Sequence, residues 1–128
     1  MAINYPVSEL ADRYTIARLK YERIESVERL AFVAEMDIYH DELKNYEEIG
    51  PFLDRLYEIN GKIWDLEASI RSGQLEGVGL DEIGRRALKI RDENRVRVGI
   101  KREMVMTYGE GWADLKQNYS GEDDDEGN

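Results

Sequence analysis

The sequence predicts an all-α protein: an antiparallel helical hairpin, about 51–72 and 81–108, packed with one or two N-terminal helices over about 9–24 and 27–48. The assembly should be a helical bundle or coiled-coil-like. Three observations predict it. Apolar residues recur at spacings of three and four along nearly the whole chain, the period of a helix and not of a strand. Glycine and proline gather at a few boundaries, Gly50-Pro51 and Gly73 to Gly79 among them, and so punctuate long uninterrupted segments. Composition joins 41% hydrophobic with 36% charged residues, which suits helices with one apolar stripe and a charged outside.

In the first helix Leu10, Tyr14, Ala17, Tyr21 and Ile24 share one face, and Ser8 stands where an N-cap would accept from orphan amides. A break is expected near Glu25, although no glycine or proline enforces it and one continuous helix from Ser8 to Glu48 fits the same pattern. Ser26 is the next candidate cap. After it Val27, Leu30, Ala31, Ala34 and Ile38 form a stripe, widened by Phe32, Met36, Tyr39, Leu43 and Tyr46.

Gly50-Pro51 then reads as the end of one helix and the start of another. Phe52, Leu56, Ile59, Ile63, Leu66 and Ile70 follow at alternating steps of four and three, the seam that packs knobs into holes. Gly73 is expected to stop this third helix, and Asp81 or a neighbour to open the fourth. The fourth carries Leu80, Ile83, Ala87, Ile90, Val98, Ile100, Met104 and Val105 on its stripe. Gly99 inside it marks close packing or a bend, and Gly109 ends it. Trp112 is expected to pin the following short segment to the bundle. A single domain over 1–119 and a disordered acidic tail over 120–128 complete the expected organisation.

Several function classes are set aside by content. Without cysteine there is no disulfide, thiolate nucleophile or zinc–thiolate site, and one histidine, His40, leaves no two-histidine metal motif. No Gly-rich phosphate loop occurs. The net charge of −10 argues against a general nucleic-acid surface, and no apolar run reaches membrane-spanning length. Met1 to Pro6 lacks the pattern of a signal peptide, so a cytoplasmic protein is expected. No cofactor and no metal is called for by any motif.

The polar interruptions of the stripes are more informative. Asn60, Trp64 and Glu67 stand beside the seam of the third helix, and Asn94, Arg97 and Lys101 on one face of the fourth. In an antiparallel hairpin Asn60 and Asn94 should lie level. They either set the register as a facing pair or, with Glu67 and Lys101, grip a small polar ligand. Charge also separates by helix. The second helix carries Glu28, Glu35, Asp37, Asp41, Glu42, Glu47 and Glu48, whereas the fourth carries Arg85, Arg86, Lys89, Arg91, Arg95, Arg97, Lys101 and Arg102. The two helices should pair within the bundle or between subunits, unless the basic one serves an anionic ligand.

Three blocks resemble an uncharacterised helical protein family of bacteria and phages. The first, S-x-G-E-L-x-D-[KR]-x-T-I-x-x-[IL]-K-x-x-R-I, is matched from Ser8 through Asp12 and Thr15 to Lys20 and Ile24, with the glycine missing. The second, N-x-x-[IL]-W-D-[IL]-E, is matched from Asn60 to Glu67, and the third, N-x-x-R-x-x-x-K-R, from Asn94 to Arg102. The resemblance carries no established activity. It implies a helical fold and one connected polar site made of Asp12, Thr15, Lys20, Asn60, Trp64, Glu67, Asn94, Arg97 and Lys101.

The expected function is that of a non-enzymatic helical accessory protein, phage or bacterial, which forms a homo-oligomer or binds a protein partner. The alternative is a binder or sequestering protein for a small anionic ligand such as a nucleotide or nucleotide sugar. Membrane association and direct nucleic-acid binding are not expected. An acidic mimic of DNA and a magnesium-dependent hydrolase rank below both.

Overall fold

The computed structural model describes residues 5–109, all of the regular structure among them helical. Helix α1 spans Val7–Arg23, a 3₁₀ turn spans Val27–Leu30, and α2, α3 and α4 span Ala31–Leu43, Gly50–Leu75 and Leu80–Tyr108. Trp112, the segment after it and the acidic tail lie outside the described residues.

The long hairpin and the break after α1 match the sequence reading, but several boundaries fall elsewhere. Helix α1 starts from Pro6, whose carbonyl accepts from the amides of Glu9 and Leu10 at 3.0 Å, so Ser8 is a buried first-turn residue and not the cap. Ser26 does cap, accepting from the Glu28 amide at 3.1 Å, but what it opens is the 3₁₀ turn. Helix α2 is therefore shorter than 27–48. The left-handed residue before α3 is Glu48, with φ 55°, and not Gly50, which is the first residue of α3.

Gly73 does not end α3. It is buried inside the helix, where an added Cβ would lie 2.7 Å from an Arg86 guanidinium nitrogen and 3.0 Å from Ile83 Cδ1. The stop is Gly77, at φ 76°: the Val78 amide reaches back to the Gly73 carbonyl at 2.8 Å and the Gly77 amide to that of Gln74. This closure needs a left-handed residue after the cap, which glycine supplies without strain.

Helix α1 is the centre of the molecule. On one side it carries α2; on the other it lies across the near half of the α3–α4 hairpin. Val7, Leu10, Tyr39, Leu43, Leu56 and Met104 make the core where all four helices contribute. The far half of the hairpin stands without α1: of the described residues of α3 beyond Gly61, Gly73 alone is buried, and none of α4 is before Val98. No part of the α2 backbone comes alongside α3 or α4, so the acidic and basic helices do not pair within the chain. No described helix is long and apolar enough to cross a membrane.

Candidate functional site

The face of α1 toward the hairpin would be apolar throughout if packing alone governed it. Instead Asp12 and Thr15 sit there, 2% and 1% exposed, one helical turn apart and flanked by Ala11 and Leu19. Across from them lie Asn60 on α3 and Arg97 and Lys101 on α4, with Asn60 and Lys101 also buried. Burying a carboxylate this deeply is unfavourable unless it is paired and hydrogen-bonded.

Asp12 is both. Arg97 Nε donates to its Oδ1 at 2.9 Å and a second guanidinium nitrogen donates to Oδ2, the two-pronged geometry that arginine offers a carboxylate. Asn60 Nδ2 donates to the same Oδ1 at 2.9 Å and to Thr15 Oγ1, also at 2.9 Å, while the Thr15 hydroxyl donates to the Asp12 carbonyl at 2.8 Å. Lys101 Nζ lies 3.9 Å from Asp12 Oδ2 and donates to Glu9 Oε2 at 3.1 Å. Asn94 Oδ1 accepts from Arg97 at 3.0 Å. Burial would raise the Asp12 carboxyl, but the Arg97 hydrogen bonds and charge, the Lys101 charge and the Asn60 amide outweigh it and hold the group below its ordinary value.

The structure thus joins six of the nine predicted residues, Asp12, Thr15, Asn60, Asn94, Arg97 and Lys101, in one network. Its centre is a carboxylate on α1, so both protons of the Asn60 amide point at α1 and the hairpin is tied to a third helix rather than to itself. Chemically the network is a clamp: its hydrogen bonds and ion pairs fix how α1 lies on the hairpin. Glu9 and Arg13 extend it, Arg13 donating to Glu9 at 2.9 Å. Glu9 was not among the predicted residues; its signal was its place three before Asp12 on the same face.

The remaining three, Lys20, Trp64 and Glu67, border a cleft of about 270 Å³ beside the network. Ile16, Leu19 and Ile63 give it apolar walls, and Asn60 and Arg97 connect it to the clamp. Lys20 Nζ lies 5.4 Å from the centre of the Phe32 ring, and the Arg23 guanidinium 6.0 Å from the Trp64 ring. Neither the Lys20 ammonium nor the Glu67 carboxylate makes a hydrogen bond or ion pair among the described residues.

A second feature lies on the opposite side of α1. Val27, Leu30, Ala31, Ala34 and Ile38, the stripe legible in the sequence, are all exposed, Val27 at 83%, Leu30 at 59% and Ile38 at 53%. The part of α2 that faces the core is the widening of that stripe, Tyr39 and Leu43. His40 is exposed, its ring 6.1 Å from that of Tyr14, and no group of three metal-ligating side chains converges among the described residues. Comparison with protein-family models, with curated proteins and with solved structures gave no match to this chain.

Proposed function

We propose that this protein works by association through α2, and that the surface it meets is α4 of a second copy. The observation that carries the reading is the exposed stripe: Val27 and Leu30 on the 3₁₀ turn and Ala31, Ala34 and Ile38 on α2, five apolar residues none of which is covered by the chain's own core. A contiguous apolar face of this kind on a folded chain marks an interaction surface.

Charge favours a second copy's α4 over its α2. Around the stripe stand Glu28, Glu35, Asp37, Asp41 and Glu42, with only Arg29 and Lys44 among them, so two α2 faces would repel. The outward side of α4 offers the complement. Gly84, Leu88, Arg91, Arg95 and Gly99 recur on it at steps of four and three, Leu88 being 52% exposed. Asp92 bridges Arg91 at 3.9 Å and Arg95 at 3.7 Å, and the contact to Arg91 is long enough for an incoming carboxylate to replace. Neither glycine is needed by the chain's own packing, since a Cβ at either position would meet nothing within 4 Å. Without side chains they let another helix approach closely.

Sedimentation velocity over a range of protein concentrations tests this. The expected result is a species heavier than the 14.9 kDa chain, dissociating as salt rises and reduced to the single chain by Ile38→Asp with helicity unchanged. Reversing charge with Glu35→Lys and Asp41→Lys should weaken association, and Arg91→Glu with Arg95→Glu on the same chain should restore it. A single-chain mass up to several hundred micromolar would overturn the proposal.

A further inference from the structure

The cleft between α1, α3 and α4 is not needed for association, and its chemistry points to a ligand of its own. We infer that it binds a nucleoside monophosphate with an aminated base, the base against Trp64 and the phosphate on Lys20. Four observations lead there. The indole of Trp64 forms part of a wall that Ile16, Leu19 and Ile63 make apolar, a surface on which a flat ring can stack. Lys20 brings an ammonium that no described carboxylate neutralises, held only over the Phe32 ring. Glu67 supplies acceptor oxygens with no described donor. Asn60 sends both amide protons to Asp12 and Thr15, and no described residue donates to its Oδ1.

An ammonium at one point and acceptors at others select a molecule that is anionic at one end and a donor at the other. An exocyclic base amine supplies the donor, a phosphate the anion. The volume of about 270 Å³ falls just under the usual range for ligand sites and leaves room for one nucleotide at most, not a dinucleotide. Arg97 borders the cleft with its charge already answered by Asp12, so it adds a polarised N–H edge rather than a net cation. The clamp therefore gives the cleft a rigid floor, and Lys20, on a flexible stem, is the part free to turn toward the phosphate.

Amide chemical-shift titration with AMP on the full chain is the test, run beside adenosine, IMP and inorganic phosphate. Saturable shifts at millimolar AMP or below are expected around Leu19, Asn60, Ile63 and Trp64. Adenosine and inorganic phosphate should each bind about tenfold more weakly or worse, the loss of one charge-assisted or one stacking contact. IMP, which lacks the amine, should fall between. Lys20→Met should weaken AMP by about tenfold and leave adenosine unchanged. Trp64→Ala should weaken both, and Trp64→Phe, which keeps a stacking face and the fold, should restore most of the loss. The Ile38→Asp chain should bind AMP as the unaltered chain does, which separates this inference from the association reading. No cleft shifts at millimolar AMP, or equal affinity for AMP and adenosine, would overturn it.

Discussion

Asp12 has a consequence that can be read against pH. Because its carboxyl is held below the ordinary value of 3.8, it contributes stability that is complete above that value and is lost as pH falls through the lower folded one. Asp12→Asn keeps the shape but leaves Arg97 and Lys101 facing a neutral group. We expect it to destabilise the chain by about 3 kcal/mol in urea unfolding at pH 7, the cost of breaking a buried pair. The difference between the two chains should shrink below pH 3.8, where the unaltered carboxyl takes up its proton too. Glu48 offers the opposite sign. Its φ of 55° strains a side chain that no described contact requires there, so Glu48→Gly should stabilise by about 0.5–1 kcal/mol, measured by the same unfolding midpoint.

Helices differ in how much of themselves their own sequence declares. The seam of α3 and most of the stripe of α4 were legible because each helix has a partner of matching period, whereas Leu80 and Ala87 of that stripe are exposed. Boundaries were less so. Gly73 and Gly77 are equally good stop signals by residue type, and only the buried approach of Ile83 and Arg86 decides that Gly73 belongs inside the helix. Ser8 was a reasonable cap, but Pro6 opened the helix two residues earlier. The stripe of α2 was visible and its exposure was not, since periodicity reports that a face is apolar and says nothing of what covers it. At the site, the motif blocks picked out nine residues, of which six meet in one network and three border the cleft beside it, whereas the pairing of Asn60 with Asp12 needed α1 and could not be inferred from the hairpin. Gly84 and Gly99 now separate two effects on one helix. Gly84→Ala and Gly99→Ala should each raise the thermal stability of the dilute chain by about 0.5–1 kcal/mol, as alanine does inside a helix. Both should weaken association in sedimentation, because the added methyl stands where the second copy comes closest.

At the scale of the molecule, the described residues form two helical pairs joined through α1, with the polar clamp at the junction and the unmatched apolar face on the outside. Outside that face the exposed large apolar side chains of the described residues are Tyr5, Val33, Leu75, Leu80, Leu88, Val96 and Met106, more widely scattered along the chain. The hairpin beyond the clamp also has a consequence in time. From Ala68 round the Gly77 turn to about Ile90, two helices shield only each other, and their ends at Leu75 and Leu80 are 89% and 87% exposed. Such a segment opens as a unit at lower free energy than the junction does. Native-state hydrogen exchange should therefore show the amides of 68–90 exchanging together and early, with those around Leu56, Asn60 and Met104 protected to the level of global unfolding. The protein would keep its clamp and its cleft while its far end repeatedly unzips and closes.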